Sequence, residues 1–342
     1  MASLPKDTAS AHAVDEACLV AALSDVFLSI RDREKVMHKL KEAKPQILSS
    51  DIILHGVAIN KRLADGTRFL SLRSIRSLQA AIIRRRLKVC CFGKKPVVFT
   101  APHTLELFRD GKDIHKVEDY SGTLAKRFAE IVCGSCITWT TNERDRIAAQ
   151  GVPDKTNRDP NFLEDGELCQ SPWFAALRSQ REQLAPLWSE MGAMSACMHV
   201  DIHGMKDPLG DGADCQIGTA AMRRNLGDTR ADEFCRRIEK YLRPVLQEIL
   251  IKGGNGRTMD LEAGLETSRP KFEGDWGAAS RRNTLTQLST NQRLFGSCGS
   301  MCYTHAVQIE LSLRLRKLLD SHRKNRESFA RALVKSCMGL YE

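Results

Sequence analysis

The sequence predicts an α/β fold: a mixed, largely parallel sheet flanked by helices, preceded by a helical N-terminal extension. Three observations lead there. From about residue 94, short apolar runs rich in β-branched residues alternate with helical runs, the pattern of strands joined by crossover helices. Before that point only helical periodicity is read, so a boundary near residue 93 divides an extension, 1–93, from an α/β body, 94–342. The length of 342 residues suits one large α/β domain with such an extension.

Taken in order, residues 1–12 are small and polar. From Val14 to Leu40, Leu19, Ala22, Leu23, Val26, Phe27 and Ile30 recur at three and four, and Pro45 stops the run. Ser50 can cap a second helical pattern with Ile52, Ile53, Val57 and Ala58. Asp65-Gly66 is a turn signal, Phe69 to Leu87 is helical again, and Gly93 ends the region.

The body opens with Pro96 to Thr100, a buried strand by composition. A helix follows from Ser121 to Val132, then a strand from Cys136 to Thr140. Asp145 to Ser171 reads as a long polar loop, and ordered loops of that length are usually functional. Trp173 to Met191 is helical, and Ser195 to Ile202 is a strand ending at His203-Gly204. Gly210 to Gly218 reads as a loop. Ala231 to Ile251 is a helix with Phe234, Ile238, Leu242, Val245 and Ile249 on one face. A Gly-rich stretch runs to Ser297, and a last strand, Tyr303 to Glu310, leads into a final helix from Leu311.

Composition narrows the class. Hydrophobic residues at 42% and charged residues at 27% argue against disorder. The twelve cysteines are scattered, mostly in apolar runs, which suits reduced thiols in a reducing compartment. Cys133-Gly134-Ser135-Cys136 falls at the start of a strand, so a redox motif is disfavoured. Asp7, Asp15 and Glu16 stand where a targeting peptide would avoid acid, and no segment is apolar enough to span a bilayer, so a cytoplasmic address is expected.

Four segments carry chemistry. His103 and Glu106 in Ala101-Pro102-His103-Thr104-Leu105-Glu106 lie just past a strand end, the edge where open α/β sheets bind ligands. Residues spaced by three can converge on one metal from a single turn. His203, at the end of Val200-Asp201-Ile202-His203-Gly204, completes a His₂Glu set of the kind that leaves a zinc position open for water. Strand alternation keeps Asp201 near His203, where it can orient the imidazole. Asn157 and Arg158, in the polar loop, offer an amide and a planar fork suited to a substrate carboxylate. Glu310 ends a buried strand; it can serve as general base near a metal or pair with Arg314 four residues on. His199 and His305 could line the pocket or be ordinary core or surface histidines.

These segments, in this order, resemble the N-formylglutamate amidohydrolase-like family of the zinc carboxypeptidase-like superfamily. The resemblance rests on A-P-H-T-L-E, the T-N-R-D-P loop, D-I-H-G and V-Q-I-E-L, with Asp214 and Gly218-Thr219 also similar, and it covers roughly residues 96–320. It implies a zinc-exopeptidase-like fold and a Zn²⁺ on His103, Glu106 and His203. It implies Asn157 and Arg158 as carboxylate binders and Glu310 as the base that activates water. The expected reaction is hydrolysis of an amide bond in an N-acyl amino acid, N-formylglutamate-like, or in a small acidic peptide. Leu105, Leu107 and Phe108 depart from the small residues that follow the family's first His.

The charge balance, +10, is concentrated in one place: from Arg68 to Lys95 there are no acids. A basic helix of this kind can contact nucleic acid or an anionic membrane. The alternative reading is therefore a catalytically dead hydrolase body that binds through this helix. Few aromatics interleave with the charge, which counts against single-strand recognition.

Overall fold

The computed structural model describes residues 87–107, 109, 115–139, 159–163, 172–184, 197–207, 213–252, 284–291 and 302–338. The elements are β1 (Leu87–Cys91), β2 (Val97–Ala101), α1 (Ser121–Ile131), β3 (Ser135–Trp139), α2 (Pro172–Leu184), β4 (Met198–Met205), β5 (Cys215–Gly218), α3 (Ala220–Leu226), α4 (Asp228–Lys252), α5 (Leu285–Thr290), β6 (His305–Ser312), α6 (Leu313–Ser321) and α7 (Arg323–Met338).

The six strands lie in the order β1-β3-β2-β4-β6-β5. The four inner strands are mutually parallel, and both edges, β1 against β3 and β5 against β6, are antiparallel. The fold is thus mixed α/β with a largely parallel sheet. Its edges differ from the sequence reading. β1 begins at Leu87, inside the segment set apart as the extension, and β5 occupies part of the predicted loop from Gly210 to Gly218. Both are edge strands, β1 partly exposed and β5 short, and each leaves weak periodicity in sequence. β4 continues past Ile202 through His203 to Met205. Residues 1–86, including the predicted helices and most of the basic segment, lie outside the described residues.

Alternation along the inner strands splits the sheet into an apolar and a polar face. Val97, Phe99 and Ala101 on β2, Met198, Val200 and Ile202 on β4, and Val307, Ile309 and Leu311 on β6 join the main core with α1, α4, α6 and α7. α1 supplies Leu124, Ala125, Phe128 and Ala129, a helical stripe. Phe128 stacks on Phe329 of α7 at 5.3 Å between ring centroids and contacts Phe99 at 6.0 Å. Each such buried side chain contributes roughly 1.5–3 kcal/mol.

The opposite face of the same strands carries Thr100, His199, Asp201, His203, Gln308 and Glu310, all buried. Register aligns them across the sheet: Thr100 with Asp201, Asp201 with Gln308, and His203 with Glu310. Because β2, β4 and β6 are parallel, His103, His203 and Glu310 meet at one carboxyl-terminal edge. α5, buried along its length, packs over this polar face against β4 and β6.

Candidate metal centre at the sheet edge

The centre is built around His103, two residues beyond β2. The Trp139 indole N–H donates to the Pro102 carbonyl at 2.6 Å and fixes the turn that presents it. Further along, Leu107 and His115 exchange backbone hydrogen bonds, both 2.9 Å, with Leu107 fully buried. The Glu118 N–H donates to the His103 carbonyl at 2.8 Å, which lays Glu118 beside His103.

The turn after Glu118 is strained. Tyr120 adopts φ 67°, ψ −15°, a left-handed conformation that costs a β-carbon residue roughly 1–2 kcal/mol. The surroundings hold it there. The buried Arg316 guanidinium donates to the carbonyls of Leu311 and Met205, both at 3.1 Å, and to that of Asp119. It thus clamps the 118–120 turn against the ends of β4 and β6. Gly204 lies under this clamp, where an added Cβ would overlap the guanidinium. The Gly204 N–H donates to Glu118 Oε2 at 2.8 Å.

Three ligand-type groups converge here. His103 Nδ1 is 2.7 Å from Glu118 Oε1 and 3.0 Å from His203 Nδ1, and His203 Nδ1 is 3.6 Å from Glu118 Oε2. The His115 ring lies tilted against His103, 3.8 Å between ring centroids, and places Nε2 3.0 Å from Glu118 Oε1. His103, His115 and Glu118 each offer an atom within 4.8 Å of the others, a spacing that can hold a metal ion.

The outward-facing ring nitrogens are held in the same way on both inner histidines. His103 Nε2 lies 3.1 Å from Asp159 Oδ1, and His203 Nε2 lies 2.9 Å from Asp201 Oδ2. Asp159 and Asp201 are buried and further bonded. Arg109 Nε donates to Asp159 Oδ2 and the Thr100 hydroxyl to Asp201 Oδ1, both at 2.5 Å. Since Thr100 donates there, it accepts from His199 Nε2 at 2.8 Å, which leaves His199 Nδ1 facing the Ser289 hydroxyl at 2.9 Å. Burial and nearby His203 hold the His199 imidazole down to about 4, so it is a neutral member of the layer beneath the centre. His305 stands at the opposite end of β6, near Phe234.

The electrostatics ask for positive charge. Burial disfavours a charged His103, yet Glu118 and Asp159 outweigh it and raise the imidazole to about 9. Burial likewise opposes charge on His203, but Asp201, Glu118 and Glu310 lift it well above the usual histidine range. Burial would raise the Glu118 carboxyl, and the two imidazoles instead hold it well below the usual carboxylate range. Glu310 moves the other way: burial and the Glu118 charge raise its carboxyl despite His203. Glu118, Asp159 and Asp201 are held as carboxylates around the two imidazoles, which favours imidazole protons or a bound cation at this point.

The donor set fits a divalent metal. Two ligands each about 2.0–2.1 Å from one tetrahedral ion lie about 3.4 Å apart, and the His103, His203 and Glu118 separations bracket that figure. Each imidazole also has its other nitrogen on a carboxylate, the arrangement that fixes tautomer and ring orientation in metal sites. Glu310 adds a buried Oε2 with no hydrogen-bond partner among the described residues, while its Oε1 accepts from Gln308 Nε2 at 3.0 Å.

The structure therefore brings His103, His203, Asp201 and Glu310 together. It does not bring Glu106: that side chain is exposed, and Glu118 is the carboxylate that meets the imidazoles. Local spacing favoured Glu106, but the backbone bond from Glu118 to the His103 carbonyl sets Glu118 there instead. Arg314, the other partner considered for Glu310, donates to Asp214 at 2.5 Å. Asn157 and Arg158 lie outside the described residues. Sequence reasoning missed Glu118, His115, Asp159 and Asn161. The signal for two of them was present, because His115 and Glu118 form a second H-x-x-E pair.

Fold and site together define a mixed α/β protein with a buried histidine–carboxylate centre at the carboxyl edge of its sheet. No family model matches the chain, and no curated protein matches it. Among solved structures, a bacteriophage poly-gamma-glutamate hydrolase is similar at 14% identity and a TM-score of 0.31, over 75% of this chain and 90% of that one. A gene product of Agrobacterium tumefaciens is similar at 13% identity and a TM-score of 0.35, over 75% of this chain and 94% of that one. Likeness at that level carries no conclusion about activity. Among the described residues, no helix is long and apolar enough to cross a membrane.

Proposed function

We propose that the chain is a zinc-dependent hydrolase that cleaves an amide bond in an N-acyl amino acid or a small acidic peptide. One observation carries the reading: Nδ1 of His103, Nδ1 of His203 and the Glu118 carboxylate converge on one point, with the far nitrogen of each imidazole on a buried aspartate. In this reading His103, Glu118 and His203 hold the metal. The reading agrees with what the family resemblance of the four motifs implies, with Glu118 taking the place given to Glu106. A zinc ion bound there supplies a Lewis acid and brings the pKa of a water ligand to roughly 7.

The protein's own groups do the rest. Asp159 and Asp201 keep both imidazoles in the tautomer that presents Nδ1 inward. Glu310, facing His203 in register, takes the proton from the attacking water through Oε2, which has no partner among the described residues. Gln308 holds Oε1 and so aims the other oxygen. The raised carboxyl of Glu310 brings its basicity closer to neutral pH, where a general base works best. As water adds to the acyl carbon and the C–N bond breaks, Glu310 returns the proton to the leaving nitrogen. Arg109, fixed by Asp159 and lying 5.6 Å over the Phe162 ring, places a cation at the rim. Asn157 and Arg158 are assigned the substrate carboxylate.

The test is a hydrolysis screen on zinc-loaded protein with N-formylglutamate, other N-acyl amino acids and glutamyl peptides. Amine release that is lost on chelation and restored by zinc is expected. A zinc-loaded protein that releases amine from none of them contradicts the reading. A protein that takes up no zinc but binds RNA or anionic vesicles would favour the binding role of the basic segment instead.

A further inference from the structure

We propose that Asn161 is the positioning residue of the metal centre, tying together the two carboxylates that orient His103 and His203. The proposal rests on the metal reading above. Its backbone N–H donates to Asp159 Oδ1 at 2.9 Å, the same oxygen that faces His103 Nε2. Its side-chain Nδ2 donates to Asp201 Oδ2 at 2.8 Å, the same oxygen that faces His203 Nε2, and lies 3.0 Å from that nitrogen. One residue therefore contacts both orienting aspartates, which belong to segments 42 residues apart in sequence and would otherwise be placed independently.

The amide is itself pinned. Its Oδ1 accepts the backbone N–H of Leu285 at 2.7 Å. A backbone N–H can only donate, so this contact fixes which end of the amide is oxygen and sends Nδ2 to Asp201. Leu285 opens α5, whose residues are all buried and whose N-cap, Thr284, forms a reciprocal capping box with Gln287. The anchor is rigid for that reason. On the other side, the Phe162 N–H donates to the Asp159 carbonyl at 3.0 Å and closes the turn that carries Asp159 and Asn161. The separation of the two aspartates, and through them of the two inward Nδ1 atoms, is thus set by one short side chain held at both ends.

Two variants separate positioning from bulk. Asn161→Ala removes the side-chain bridge. Asn161→Asp keeps the shape and can still accept from Leu285, but turns an oxygen toward Asp201 in place of a donor. Zinc affinity is measured by chelator competition, and the ligand geometry by the visible spectrum of the cobalt-substituted protein. The melting temperature of the metal-free protein is recorded beside them. Zinc binding should weaken by about 10–100-fold in both variants, the range for lost partners of metal-ligating histidines. The cobalt spectrum should shift while the metal-free protein stays folded. Wild-type affinity with a wild-type cobalt spectrum in either variant overturns the proposal. So do variants that do not fold, since Asn161 would then serve the fold and not the centre. Wild-type protein that binds neither zinc nor cobalt sinks the metal reading itself, a result distinct from both.

Discussion

Nδ1 of His103 and Oε1 of Glu118 lie 2.7 Å apart across fifteen residues of chain. Among the described residues between them, none belongs to a helix or a strand, and the contact rests on a segment whose ends are tied together. Its closing bonds, Leu107 with His115 and Glu118 with the His103 carbonyl, are backbone bonds. The carboxylate is therefore placed by main chain, and its side chain has only to lean onto the imidazoles.

The paired aspartates should matter to the metal more than to the fold. Asp159→Asn and Asp201→Asn each replace an acceptor for an imidazole N–H with an amide of the same shape. Zinc affinity measured by chelator competition should fall by about 10–100-fold in each. Unchanged affinity in both would mean that the imidazoles are oriented by packing alone.

Gly204 should resist even a methyl group. A Cβ there meets the Arg316 guanidinium, which three carbonyls hold in place. Gly204→Ala should cost about 1–3 kcal/mol, the usual penalty for overpacking. Because Arg316 clamps the Asp119 carbonyl, metal affinity should drop with it. Denaturant unfolding and zinc titration of the variant check both, and a variant of wild-type stability would show that the guanidinium moves aside freely.

Glu310→Gln isolates the base. The substitution keeps volume and much of the hydrogen bonding with Gln308, and it removes proton acceptance. The variant should fold, hold zinc and bind substrate, with kcat lower by about 10²–10⁴-fold. Near-normal turnover with zinc bound would take Glu310 out of the chemistry.

The inner fold was legible because buried parallel strands leave apolar, β-branched positions, as in Val97 to Phe99 and in Val307 and Ile309. His103, Asp201, His203 and Glu310 stand out for a related reason: strand ends are local features, and a period of two puts Asp201 and His203 on one side. β1 was hidden by its partial exposure and β5 by its short length. Glu118 was hidden by competition between two H-x-x-E pairs, of which the first lies nearer a strand end. Choosing between them requires the Leu107–His115 pairing, and no local pattern encodes it. Asp159 and Asn161 sit in a short turn tied to α5, 124 residues later, by the Asn161 bond to Leu285, a contact that no local pattern announces.

The most direct measurement is the zinc stoichiometry of three proteins after loading and dialysis: wild type, Glu118→Gln and Glu106→Gln. With His103, Glu118 and His203 as ligands, wild type and Glu106→Gln should each retain one tightly held zinc per chain, and Glu118→Gln should lose it while remaining folded. Full zinc in Glu118→Gln, or none in wild type, would contradict the metal centre described above.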